Sequence, residues 1–132
     1  MILLDANVIL DVWNADPAWG AWSASQMRSQ SLVHELAINA IVYAEISARF
    51  SKPAALDEKL HDLGIAVINL PLMAAFLAGK AYLSYRRNGG SKGNVLPDFF
   101  IGAHAVALGC ELLTRDTRRY ALYFPTVPLI AP

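Results

Sequence analysis

One cysteine, three histidines and a charged fraction of 17% leave this chain few groups with which to do chemistry. The lone Cys110, among apolar neighbours, excludes an internal disulfide and fits a reducing cytoplasm, the expected location. His34, His61 and His104 have no metal-ligand spacing and read as structural or surface residues. No serine or cysteine stands in a nucleophile–histidine–acid arrangement. No apolar run spans a membrane, since the longest, Ile65 to Gly79, is broken by Asn69 and Pro71. An opening stretch with Asp5 and no early lysine or arginine does not read as a signal peptide. Internal repeats are absent too. Net charge is zero, which argues against indiscriminate binding to nucleic acid.

What is present is apolar mass and an uneven distribution of charge. At 132 residues and 55% hydrophobic, the chain suffices for one domain over residues 1–132, with either a sheet buried on both faces or a surface covered by a partner. Residues 1–79 hold four basic against eight acidic side chains, and residues 80–132 hold seven against three. Such a division can make a phosphate-facing patch on a neutral protein; a solvated helix end and loop is the plainer account.

Short apolar runs alternate with helix-like segments, which predicts an α/β domain with a parallel sheet. Ile2 to Leu4 reads as a first strand, buried on both sides because it does not alternate. Helices are predicted over Ala6 to Trp13 and Pro17 to Ser29, the second capped by Asp16 and opened by Pro17. A second strand, Glu35 to Ile38, precedes Asn39, which is placed to cap a helix reaching about Phe50. Pro53 opens a helix ending near Gly64. Ile65 to Leu70 is a third strand, and Pro71 opens a long helix to about Arg87. Asn88 to Asn94 is a flexible loop without the spacing or preceding strand of a P-loop. Pro97 to Gly109 is helical, Glu111 to Thr114 a fourth strand, and Val127 to Ile130 a short last one.

Four acids occupy positions where a charge is awkward unless something binds it. Asp5 ends Met1-Ile2-Leu3-Leu4, at the carboxyl end of a strand, where ligands bind in open α/β sheets. Glu45 follows Ile41 and Val42 at helical spacing, so its carboxylate projects from the side meant for the core. Asp98 lies in the first turn of its helix, and Asp116 closes Leu112-Leu113-Thr114-Arg115-Asp116. Each has an ordinary explanation: Asp5 as a helix cap, Glu45 paired with Arg49 at i+4, Asp98 favoured by the helix dipole, Asp116 capping a turn with Thr117. If the fold gathers them, they cannot all stay ionised without a cation or raised pKa values, and a hard divalent metal answers that conflict.

The run Ile2-Leu3-Leu4-Asp5-Ala6-Asn7-Val8-Ile9-Leu10, a glutamate in the helix after the second strand, Leu96-Pro97-Asp98-Phe99-Phe100-Ile101 and Leu113-Thr114-Arg115-Asp116 together resemble the PIN domain. More closely, they resemble the VapC-type toxins of bacterial toxin–antitoxin pairs, over essentially the whole chain. The resemblance implies a three-layer α/β/α fold around a mostly parallel sheet. It also implies an acidic pocket that binds Mg²⁺ or Mn²⁺ and cleaves RNA, tRNA or ribosomal RNA being the expected targets. Asp5, Glu45, Asp98 and Asp116 match the acidic positions, and Asn7 and Thr114 the supporting polar ones. A homodimer and a VapB-like antitoxin are the implied partners.

On this reading Asp5, Asp98 and Asp116 are the metal ligands, and Glu45 holds a second ion or serves as base toward the attacking water. Arg86, Arg87, Lys92 and Arg115 are candidates for RNA phosphates. Trp19 and Trp22, at i and i+3, share a helix face; with Trp13 they read as core packing or, alternatively, as a groove for an apolar partner helix. Two rival functions start from the same residues. A haloacid dehalogenase-like phosphatase needs a second aspartate where Asn7 stands, and the chain offers no cap domain. A PIN-like module that binds RNA or protein without cutting needs no intact acidic set.

Overall fold

A computed structural model describes residues 1–93 and 95–132. The strands β1 (Ile2–Leu4), β2 (Leu36–Asn39), β3 (Ile65–Ile68), β4 (Glu111–Leu113) and β5 (Leu129–Ile130) form one sheet. Their order is β3-β2-β1-β4-β5, and all four pairings are parallel. Among the described residues seven helices flank it: α1 (Ala6–Trp13), α2 (Gly20–Ser31), α3 (Ala40–Ile46), α4 (Pro53–Asp62), α5 (Leu72–Arg87), α6 (Leu96–Leu108) and α7 (Arg118–Tyr123). This is the α/β domain with a parallel sheet that the alternating pattern predicts, in the three-layer α/β/α form that the resemblance implies.

Every residue of β1 and β2 is buried, as expected of parallel strands covered on both faces. The edge strand β3 is less covered, with Ile65 buried, Ala66 and Ile68 half-buried and Val67 exposed. It stops at Ile68, short of the expected Leu70, just before Pro71, which has no N–H to extend a ladder. Between β2 and α3 the expected cap is present: Asn39 Oδ1 accepts from the backbone N–H groups of Ile41 and Val42, both at 3.0 Å. The amide nitrogen of Asn39 donates to Nδ1 of the buried His104 at 3.1 Å, which puts the imidazole proton on Nε2. Burial lowers the His104 pKa and keeps this ring neutral in the core.

Two helices differ from expectation. Asp16 caps as predicted, its Oδ2 accepting from Ala18 N at 3.0 Å and Trp19 N at 2.7 Å, but these bonds hold a turn. The helix proper starts at Gly20, not Pro17. The unanticipated α7 has six residues, too few for a periodic apolar pattern to declare itself. In the loop after α5, Asn94 lies outside the described residues; Gly89 takes the left-handed φ of 87° that favours glycine.

Trp13 packs edge-on against Phe50 with ring centroids 5.5 Å apart, and Trp19 meets Trp22 at 6.3 Å. Both Trp13 and Trp22 lie against the core. The fully buried Phe99 of α6 joins Tyr82 and Tyr85 of α5 to Tyr123 and Phe124, at the end of α7, with centroids 5.3–6.0 Å apart. Gly102 is what lets Phe124 so close. A Cβ there would lie 2.3 Å from the Phe124 ring.

Gly102→Ala is therefore expected to destabilise the fold. Overpacking a filled site costs about 1–3 kcal/mol, which outweighs the gain of up to about 1 kcal/mol that alanine brings to a helix. Urea denaturation measures the difference, and an unchanged or higher midpoint would refute the close-packing account.

Candidate active site

Strand order reverses between β1 and β4, since β2 and β3 run off one side of β1 and β4 and β5 off the other. Parallel strands diverge at such a point, and the crevice outside their carboxyl ends is where open α/β sheets bind ligands. Leu4 pairs with Leu113, so Asp5 and Thr114 leave the sheet side by side, and Asp5 N donates to Leu113 O at 2.9 Å. Thr114 Oγ1 then donates to Asp5 Oδ2 at 2.9 Å. Tyr120 of α7 donates its hydroxyl to the same oxygen at 2.9 Å, and Asn7 Nδ2 donates to it at 3.2 Å. All three bonds arrive at Oδ2, leaving Oδ1 clear of these side chains. Asp5 is 5% exposed, and burial raises its pKa despite the donors around it.

The other three acids arrive from separate elements. Asp98 stands in the first turn of α6 and pairs with Arg119 of α7. Asp116 is exposed beyond β4, and its Oδ1 accepts from Arg118 N at 3.3 Å, so the expected turn-capping role is real, though the bond comes from Arg118. Glu45 lies in the last turn of α3, where Val42 and Ile46 are buried and Glu45 itself is exposed. This corrects the expectation that its carboxylate points into the core: it stands on the rim, beside the buried stripe. Nor does Arg49 pair with it, because Arg49 donates to Asn14 instead.

Charge nevertheless reaches across the pocket. Protein crowding around the Glu45 carboxylate, followed by the charges of Asp5 and Asp98, pushes its pKa up to about 7. Burial and the Asp5 charge push Asp98 up to about 6, with Asp116 adding to the rise and Arg119 opposing it. Tyr120 is raised well above the ordinary range by burial and by Asp5, Asp98 and Glu45. Among the described residues, no three acids or histidines lie close enough together to hold an ion as they stand, and Asp98 is engaged by Arg119. The donor set still suits a hard divalent cation. It offers carboxylate oxygens only, with negative charge offset by raised pKa values and one guanidinium.

The RNA-phosphate candidates fare differently from one another. Arg115 is drawn away: its Nε lies 2.8 Å from Oδ2 of Asp11, a buried carboxylate on α1 that needs a counter-charge and also accepts from Ser23 Oγ at 3.1 Å. Arg86 donates to Gly90 O at 2.8 Å. Arg87 and Lys92 are exposed.

Tyr120, Arg119 and Asp11 contribute to the site or its frame without having been anticipated. Only Asp11 gave a signal, as an acid within the apolar helix Val8-Ile9-Leu10-Asp11-Val12, the same anomaly that marks Glu45. The other two lie on the short α7.

The PIN domain family model matches residues 2–125. The VapC ribonuclease Y4jK of Sinorhizobium fredii is 32% identical, over 89% of this chain and 88% of that protein. Among solved structures, VapBC2 from Rickettsia felis bound to a DNA fragment from their promoter aligns with a TM-score of 0.73 at 22% identity, covering 99% of this chain and 98% of its own. A toxin–antitoxin complex from Klebsiella pneumoniae gives 0.70 at 23%, covering 96% and 95%. These structural likenesses concern the fold.

The raised acids fix the sign of a pH dependence. The folded protein holds protons that the unfolded chain, with ordinary values of 4.5 for Glu45 and 3.8 for Asp98, releases earlier. Stability without metal should therefore fall as pH rises from the ordinary carboxylate range through about 6 and 7. His104, lowered from 6.5, acts oppositely on the acid side, so the acids' share is read by comparing parent with variant. In EDTA, Asp98→Asn should melt higher than the parent at pH 8 and show a clearly smaller advantage at pH 5. Equal melting curves at both pH values would remove the repulsion.

Proposed function

The chain belongs to the PIN domain family, and we propose that it is a divalent-metal-dependent endoribonuclease, the toxin of a VapBC-like toxin–antitoxin pair. What supports this reading is the convergence of Glu45 and Asp98, each raised by burial and by the charge of Asp5, at a strand-order reversal beside that buried Asp5, which three side-chain donors hold. Residues 1–132 are one PIN domain on this reading, acting in the cytoplasm on tRNA or ribosomal RNA. The partners are a second copy of the chain and a VapB-like antitoxin, whose apolar helix the Trp19–Trp22 face would receive.

Asp5, Asp98 and Asp116 would hold Mg²⁺ or Mn²⁺, with Asn7 and Thr114 in support. Bound there, the ion supplies Lewis-acid stabilisation of phosphate charge and lowers the pKa of water. The chain's own residues do the rest. Thr114, Tyr120 and Asn7 tie Oδ2 of Asp5 and so fix the direction of Oδ1. Glu45, on the rim and titrating near neutrality in the metal-free protein, can take a proton from the attacking water. Arg119 balances Asp98 until substrate and cation arrive. Arg86, Arg87 and Lys92, at the end of α5 and in the loop after it, would contact RNA phosphates, which supply affinity and little sequence choice.

Purified protein incubated with total RNA and Mg²⁺ or Mn²⁺ should give discrete new 5′ ends that vanish in EDTA and in Asp98→Asn. Uncut RNA from folded, antitoxin-free protein would overturn the reading in favour of a binding module. Tyr120→Phe removes one donor to Asp5 and should lower the cleavage rate about 10- to 100-fold while the fold persists, the range for groups that orient a metal ligand. A parental rate in Tyr120→Phe would deny the hydroxyl that positioning role.

A further inference from the structure

Beside the four acids lies a cavity of about 470 Å³ lined by Tyr85, Asp116, Arg118, Arg119, Leu122 and Tyr123. Asp116 belongs to both, so cavity and acid pocket share a wall. Arg119 stands on the same boundary: one side of its guanidinium pairs with Asp98, and its centre lies 5.8 Å from the Tyr85 ring. The rings are not loosely set. Tyr85 and Tyr123 meet edge to face at 5.9 Å, both pack on the buried Phe99 at 5.3 Å, and a Cβ on Gly90 would strike the Tyr85 ring at 2.5 Å. The chain thus builds a preorganised aromatic wall, adds Leu122, which is 70% exposed, and flanks it with two arginines.

We propose that this cavity is a subsite for one unpaired nucleotide of the RNA next to the cleaved bond, its base against Tyr85, Tyr123 and Leu122 and its phosphate on Arg118. The inference rests on the reading that the acid pocket acts on RNA. Three features support it. Flat rings and guanidinium planes are the surfaces on which unstacked bases are received. Arg118, exposed and bonded only through its backbone N–H in the contacts above, leaves its side chain available for a phosphate. A site that extends from Asp116 requires a ligand tolerant of both a carboxylate cluster and two cations, which a phosphodiester strand with bound divalent metal satisfies. A base splayed from its stack is also needed, so the subsite selects single-stranded segments, loops and ends over continuous duplex.

The test uses the full chain and a fluorescein-labelled single-stranded RNA carrying 4-thiouridine, in EDTA so that nothing is cut. Arg118→Ala combined with Leu122→Asp changes two exposed side chains and should leave the circular dichroism spectrum intact. Anisotropy should show about tenfold weaker binding in this double variant, which loses the Arg118 contact to phosphate and the Leu122 contact to the base. Ultraviolet cross-links in the parent should map to the segment 118–123 or to Tyr85. Undiminished affinity in the folded variant, or cross-links confined to other segments, would overturn the subsite. Cleavage of total RNA in Mg²⁺ by the same parent preparation separates the two readings. Cutting with undiminished variant binding removes the subsite alone, whereas cross-links at the cavity without cutting remove the nuclease, and with it the place beside a cleaved bond, and retain nucleotide binding there.

Discussion

A carboxylate that is nearly sealed from water lies at the end of the central strand, and the rest of the pocket is arranged around keeping it there. Asp5 cannot be buried cheaply unless its oxygens are hydrogen-bonded. The donors come from the strand beside it, from the helix that follows it and from a helix more than a hundred residues away. The parallel register of β1 with β4 makes the first of these possible, because Leu4 opposite Leu113 leaves Asp5 opposite Thr114. A slip of one residue would turn one of the two to the other face of the sheet. The position of Asp5 is therefore a property of the sheet, and the other acids take their meaning from their distance to it.

The electrostatic design has two tiers. Where a carboxylate is deeply buried and structural, the chain supplies a permanent counter-charge, as Arg115 does for Asp11. Where carboxylates face the crevice, compensation is incomplete: Arg119 serves Asp98 alone, and Glu45 and Asp5 are left with raised pKa values. A protein optimised only for stability would treat both groups alike. The contrast separates acids that brace the fold from acids held ready for something else.

Much of this was legible from residue order. Continuous apolar runs identified β1 and β2, the Asn39 cap was evident, and each acid's place at the end of a strand or the start of a helix followed from its neighbours. What escaped has physical reasons. Glu45 was expected inside because a helix stripe reads only to within a residue or so of its edge, and the true stripe passes through Val42 and Ile46. Arg115 reads as a candidate for RNA phosphate because its partner Asp11, 104 positions away, leaves no local sign. Tyr120 and Arg119 were invisible because α7 is too short to show a period, and its seat depends on the space that Gly102 leaves for Phe124. Local pattern reports the near neighbours of a residue, while the pocket is made of distant ones.

That distance has a consequence for the order of synthesis. Asp5 is made 115 positions before its donor Tyr120. A growing chain therefore carries the acid well before the last of its three side-chain donors, which comes only after β4 has been translated. A chain broken off before α7 would contain all four pocket carboxylates and lack both the Tyr120 hydroxyl on Asp5 and the Arg119 guanidinium on Asp98.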